Sequence, residues 1–315
     1  MNNLKHILIQ PLRTSWKAPN LNIPWDNNSF FTLSKLLQAD AYHIESPNID
    51  LNANIYWMCS FDIGLLKKEI EFAKRIKELN KKFILSFSQD LRFLLGNFLV
   101  NDEGIHYGDL CNYADVILAG MNPNIKVFGR NQYKLMEFGL PVERITFPTI
   151  PFNNRKIDIL VSNNAGEENW GFTTEFLFYL KEKFPNKEIA YSTSLPTQKI
   201  HPQLRNIITF VPFGLINYLK NAKIYINLEL RPRPGRSLLE SYYFDVPFIA
   251  SSFSYFSKLF PDFTFNFLDF EFIIESCNVL LEEKNHLNYL QKAKEIMEFE
   301  YFDNFYKRLI KKIFY

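Results

Sequence analysis

Residues 224–252, IYINLELRPRPGRSLLESYYFDVPFIASS, constrain the fold more than any other stretch. An apolar strand over 224–228 runs into a loop with three arginines and one glycine. A helix is expected to open at Ser237, and a second strand covers 246–250 after a short turn. Strand, helix and strand in this order form a parallel βαβ unit, and such sheets seat ligands beyond the carboxyl ends of their strands. The loop from Arg231 to Glu240 is therefore the expected ligand contact. Arg231, Arg233 and Arg236 beside a helix N-terminus suit a diphosphate, because the helix dipole, the first-turn amides and the guanidinium forks all favour anionic oxygen. Glu240, expected in the first turn, is suited to two hydroxyls of a ribose or a sugar. The same Ser237-Leu-Leu-Glu240 spacing also fits a capping box, in which the glutamate only closes the helix start.

The rest of the chain alternates in the same way. Residues 4–10 (LKHILIQ) read as a buried strand, followed by a polar loop whose Arg13, Thr14, Ser15 and Trp16 are candidate acceptor contacts. A helix over 29–38 and strands over 41–45 and 54–59 come next. Residues 65–79 form an amphipathic helix with Leu66, Ile70, Ala73, Ile76 and Leu79 on one face. The strand at 83–87 ends in Ser88, Gln89 and Asp90, where a parallel sheet exposes its functional edge. A helix near 110–113, a strand at 115–119, a helix at 130–138 closed by Gly139 ahead of Pro141, and a last strand at 144–147 complete this half.

The proline-bearing segment 148–156 shows no helical or strand period and marks the expected domain boundary. A second alternation then begins with a strand at 157–161 and the loop SNNAGEENWG. It continues with a helix at 173–184, strands at 188–191 and 207–210, a helix at 215–221 and the central unit. Residues 270–282 and 286–297 read as helices. The expected domains are thus 1–152 and 153–300. In the tail, 301–315, Phe302, Phe305, Tyr306, Leu309, Ile310 and Ile313 recur at helical spacing, with Lys307, Arg308, Lys311 and Lys312 on the other face. Such a tail either crosses back onto the first domain or offers a basic amphipathic surface to anionic lipid, a peripheral membrane contact.

Composition narrows the function classes. A net charge of +2 creates no field that would by itself imply nucleic acid. Cys59, Cys111 and Cys277 are scattered without metal spacing and leave an odd number, which points to a reducing, cytoplasmic setting. No window approaches about 18 consecutive apolar residues, and the first residues lack a signal-peptide run, so neither secretion by that route nor membrane spanning is expected. No Asp-x-Asp flanked by strands and no Cys/His cluster is present, so no metal is expected.

On these residues the chain resembles a GT-B glycosyltransferase, most closely the family-4-like group. That group is similar to G-x-x-x-x-E-A-x-x-x-G-x-P-V-I-A, and here Gly235, Glu240, Asp245, Pro247 and Ala250 stand at the corresponding places. NYADVILAG (112–120) and FGLPVERITFPTIPF (138–152) are similar to the run that ends the first domain in that group. The resemblance implies two Rossmann-like domains facing a central cleft, and metal-independent transfer of a sugar from a nucleoside-diphosphate sugar, a co-substrate, to an acceptor hydroxyl. The acceptor would be a glycan, a lipid or another hydroxyl compound.

From the residues and the resemblance together, donor contacts are expected from Arg231, Arg233, Gly235, Arg236, Ser237, Leu238, Glu240, Asn163, Asn164 and Phe213. Acceptor contacts are expected from Arg13, Thr14, Trp16 and Gln89, with Asp90 and Glu240 catalytic. The chain also departs from the group. Pro232 stands where its first glutamate belongs, the nearest acid being Glu229. Ser162, Asn163, Asn164 and Asn169 replace its phosphate-binding Arg and Lys, and Gln89-Asp90 replaces its usual His-Asp. SQDLRFLL (88–95) and 157–180 are similar to the T-even phage DNA β-glucosyltransferases, which would make Asp90 the general base of an inverting transfer. A DNA-base glucosyltransferase, a nucleotide-sugar epimerase and a non-catalytic module of the same fold stand as alternatives.

Overall fold

The computed structural model describes residues 4–10, 29–60, 65–87, 104–119, 129–137, 142–162, 170–193, 200–212, 215–229, 235–266 and 269–315. It divides into two compact units, one of Met1–Val142 with Tyr301–Tyr315, the other of Glu143–Arg231 with Gly235–Glu300.

The first unit is built on a parallel sheet with strand order β2-β1-β3-β4-β5-β6. Its elements are β1 (His6–Gln10), α1 (Ser29–Leu37), β2 (Asp40–His43), β3 (Ile55–Ser60), α2 (Leu66–Glu78), β4 (Lys82–Phe87), α3 (Tyr107–Tyr113), β5 (Val116–Ala119) and β6 (Leu135–Glu137). These strands are apolar on both faces because helices cover both. Ile7, Ile9, Tyr56, Met58, Phe83 and Leu85 face α2 and α3. The alternate residues Leu8, Trp57, Cys59 and Ile84 meet Leu33 of α1 and the apolar stripe of the last helix, α9 (Phe302–Phe314). That stripe, Phe302, Phe305, Tyr306, Leu309 and Ile313, is thus covered by protein.

His6 joins the tail to the sheet. Trp57 Nε1 donates to His6 Nδ1 at 3.0 Å, and Nε2 lies 3.1 Å from the Tyr306 hydroxyl. An Nδ1 that accepts must be unprotonated, so the neutral ring carries its hydrogen on Nε2. Burial accordingly pushes His6 down to about 4.

The structure differs from the sequence reading over residues 130–147. Residues 130–138 do not form an α-helix. Gly129–Lys134 is a 3₁₀ turn, and Leu135–Glu137 pairs with β5 as an edge strand. Lys134 explains the change: its buried ammonium donates to the carbonyls of Cys111 at 3.0 Å and Asn112 at 2.9 Å, capping the end of α3 and tying the turn to it. Residues 144–147 are not a strand. They precede Pro148 and Pro151, which have no amide to give a ladder, and the Tyr243 hydroxyl instead binds both the amide and the carbonyl of Glu143. On α2, Leu79 is the exposed C-cap and Glu69 takes a buried place on the inner face.

The second unit carries β7 (Ile157–Ser162), α4 (Trp170–Lys183), β8 (Ile189–Thr193), β9 (Thr209–Pro212), α5 (Leu215–Leu219), β10 (Ala222–Asn227), α6 (Arg236–Tyr243), β11 (Phe248–Ser251), β12 (Thr264–Phe265), α7 (Phe270–Leu280) and α8 (Glu283–Glu300). All its strands are parallel, in the order β12-β11-β10-β7-β8-β9. Chain order reverses between β7 and β10, so their carboxyl ends flank the topological switch point, where open parallel sheets bind ligands. The buried Arg155 guanidinium fixes the amino end of the same strand pair, donating to the carbonyls of Ile150, Ala222 and Phe244.

Candidate functional site

The carboxyl ends of β7 and β10 are polar, after the buried runs 159–161 and 224–226. Ser162 closes β7 and Asn227 closes β10, paired in register and both buried. The Asn227 side chain bridges two segments: Oδ1 accepts from the Glu229 amide at 2.7 Å, and Nδ2 donates to Ser237 Oγ at 2.8 Å. Beneath it the Tyr225 phenol bonds to the hydroxyls of Ser162 and Ser237. Ser251, at the end of β11, donates to the Glu229 carbonyl. This chain of buried hydroxyls and one amide ties three adjacent strand ends to the start of α6. Burial raises the Tyr225 phenol far above its ordinary pKa, so it stays a neutral donor.

Gly235 turns the chain into α6. Its φ of +84° is left-handed, and a Cβ there would lie 3.1 Å from Leu238 Cδ1 and 3.2 Å from Ser254 Oγ. Only glycine meets both demands at low cost. The helix therefore opens one residue earlier than expected, at Arg236 with Gly235 as N-cap, and no side chain caps it. This overturns the capping-box reading. Ser237 lies inside the helix and spends its hydroxyl on Asn227 and Tyr225. Glu240 is the fifth helical residue, beyond the first turn, and its side chain leans back along the helix toward Arg236.

Arg236 Nε donates to Glu240 Oε1 at 3.0 Å. The Glu240 side chain keeps 8% of its surface exposed and the Arg236 side chain 38%. Burial raises the Glu240 pKa, while the charge and hydrogen bond of Arg236 act the other way. A buried carboxylate beside a half-exposed guanidinium, at the switch point of a parallel sheet, offers an acceptor for hydroxyls and a donor fork for an anion within one helical turn.

Of the expected donor contacts, Gly235, Arg236, Ser237, Leu238 and Glu240 are therefore brought together. The Leu238 side chain is fully buried and its amide bonds to the Gly235 carbonyl, which leaves it a packing role. Arg231, Arg233, Asn163, Asn164 and Phe213 lie outside the described residues, as do Asp90, Gln89, Arg13, Thr14 and Trp16. Tyr225, Asn227, Ser251 and Ser254 escaped the sequence reading. A polar residue ending each of two apolar strands was a visible signal, but only the strand order shows that β7 and β10 are neighbours. Among the described residues no group of three or more His, Cys, Asp or Glu gathers as metal ligands, and no helix is long and apolar enough to cross a membrane.

No protein-family model matches the sequence, and no curated protein matches it. Solved structures do. The chain is similar to TarM, with a TM-score of 0.59 and 10% identity over 83% of this chain and 55% of that one. It is similar to a glycosyltransferase from Rickettsia africae ESF-5, with a TM-score of 0.57 and 11% identity over 98% of both chains. It is also similar to the lipopolysaccharide outer core galactosyltransferase WaaB, with a TM-score of 0.55 and 10% identity over 99% of both. The chain spans about half the length, 52%, of another similar structure, accessory secretory protein 1,2 and 3 of Streptococcus pneumoniae. At such identities the likeness is one of fold: two helix-flanked parallel sheets in a GT-B-like arrangement of two Rossmann-like domains.

Proposed function

We propose that the chain is a metal-independent glycosyltransferase that moves a sugar from a nucleoside-diphosphate sugar to an acceptor hydroxyl. The observation that carries this reading is the Arg236–Glu240 pair on the helix leaving the switch point. The similar structures support it: one is a pneumococcal O-GlcNAc transferase in complex with UDP and GlcNAc. Arg236, with Arg231 and Arg233 from the preceding loop, would hold the diphosphate and stabilise it as it leaves. Glu240 would accept from ribose or sugar hydroxyls. Asp90, beyond the carboxyl end of β4, would take the acceptor proton, and Arg13, Thr14, Trp16 and Gln89 would hold the acceptor. Asn163, Asn164 and Phe213 complete the proposed donor set, and a family-4-like assignment belongs to the same proposal.

The test is calorimetric screening of nucleotides and nucleotide sugars, followed by turnover of the best binder. Binding and hydrolysis or transfer in the unmodified protein, with both reduced at least tenfold in Glu240→Ala, support the assignment. An Ala variant that binds and turns over as the parent does removes Glu240 from the site.

A further inference from the structure

Among the described residues, the large apolar side chains that the first unit leaves exposed are Leu79, Tyr133, Phe314 and Tyr315. Single exposed apolar groups are ordinary, but these four share one place, the amino edge of the sheet. Leu79 ends α2 just ahead of Lys82, where β4 opens, and Tyr133 precedes β6, which opens at Leu135. The last turn of α9 lies across the same strand ends. Lys82 Nζ sits 5.4 Å from the centre of the Phe314 ring, and Lys312 Nζ donates to the carbonyls of Tyr133 at 3.2 Å and Leu135 at 2.7 Å.

Lysines frame this apolar strip. Lys81 and Lys82 follow Leu79, and Lys311 and Lys312 precede Phe314. Among the described residues none of these four ammoniums bonds to a carboxylate. Asp115, just before β5, is already held by Lys77 Nζ at 2.7 Å and by the Phe83 amide at 2.8 Å, so the edge stays basic. Lysine stems beside rings match a layer that is anionic at its surface and apolar beneath, with the ammoniums at the charge and the rings at the boundary. Nucleic acid favours guanidinium forks and stacked rings, and an aliphatic tip such as Leu79 adds nothing there. The apolar stripe of α9 is covered by the sheet, so only the end of that helix can meet such a layer.

We propose that the amino edge of the first sheet docks the protein onto anionic lipid bilayers. Lys81, Lys82, Lys311 and Lys312 meet the headgroups, and Leu79, Tyr133 and Phe314 enter the interface. The strands of the sheet are all parallel, so their carboxyl ends point away from the lipid.

Co-sedimentation of the full chain with vesicles tests this, using phosphatidylcholine alone and phosphatidylcholine with phosphatidylglycerol at about 7:3. The parent is expected to sediment with the mixed vesicles only, and less at high salt. Each lysine beside an anionic surface is worth about fivefold in partition, so Lys81→Gln with Lys311→Gln should weaken binding about 25-fold. Tyr133→Ser with Phe314→Ser should weaken it about tenfold and leave the salt dependence in place. Urea midpoints check that each variant folds. Lys156→Gln with Lys284→Gln removes the same charge from exposed places on the second unit and should change binding by less than about twofold. No preference for the mixed vesicles, equal loss in the edge and control lysine pairs, or an aromatic pair that binds as the parent does overturns the proposal. So does tighter binding to a single-stranded DNA or RNA oligonucleotide that the edge lysine pair abolishes, which would give the edge to nucleic acid.

Discussion

Replacing Asn227 with alanine tests the buried polar network that ends the central strands. The substitution removes the 2.7 Å bond from the Glu229 amide and the 2.8 Å bond to Ser237 Oγ. Each of the two bonds contributes about 1 kcal/mol net, and a buried amide left without an acceptor adds about 1–3 kcal/mol more, so a loss of roughly 3–5 kcal/mol is expected. Urea denaturation of the parent and Asn227→Ala measures it, read on the transition of the second unit. Asn227→Asp is the control: it keeps the acceptor for the Glu229 amide and is expected to lose less than alanine. A loss below about 0.5 kcal/mol for alanine, the range of an ordinary surface change, would refute the argument that these bonds hold the start of α6.

Three further outcomes follow from the same structure. Phe305→Ala empties a fully buried ring site between α9 and the first sheet and should cost about 3–5 kcal/mol in denaturant unfolding, with α9 losing amide protection first. His6 and His286 are both pushed down to about 4 from 6.5, chiefly by burial. Between those values the unfolded chain binds the extra protons, so stability falls as pH drops through the window, by up to about 3 kcal/mol per histidine, and urea midpoints for His6→Gln should decline less steeply than the parent's. Arg155→Met leaves three carbonyls without their donor and should cost about 3 kcal/mol or more, measured by thermal unfolding, whereas Arg155→Lys, unable to span three acceptors, should recover only part.

The alternation of strands and helices was legible because each strand is apolar on both faces and each helix on one. Trp57 and Tyr56 show the limit of that signal: adjacent in sequence and equally apolar, they belong to different helix layers, which period alone cannot assign. Residues 130–138 misled because Gly139 ahead of Pro141 fits a helix end, while the deciding contact, Lys134 on the end of α3, is long-range. Gly235 and Glu240 were found by their spacing, but the true helix start was not. The left-handed Gly235, two residues before Ser237, takes the cap position instead. Tyr225 and Asn227 read as ordinary strand residues until the order β10-β7 placed their polar groups beside Ser162.

The most direct test of the central claim is hydrogen–deuterium exchange of the full chain with and without saturating ribonucleoside diphosphate, each of the common four in turn. At least one of the four is expected to slow exchange across residues 227–240, centred on the first turn of α6. Slowing confined to other segments, or none with any of the four, would contradict it.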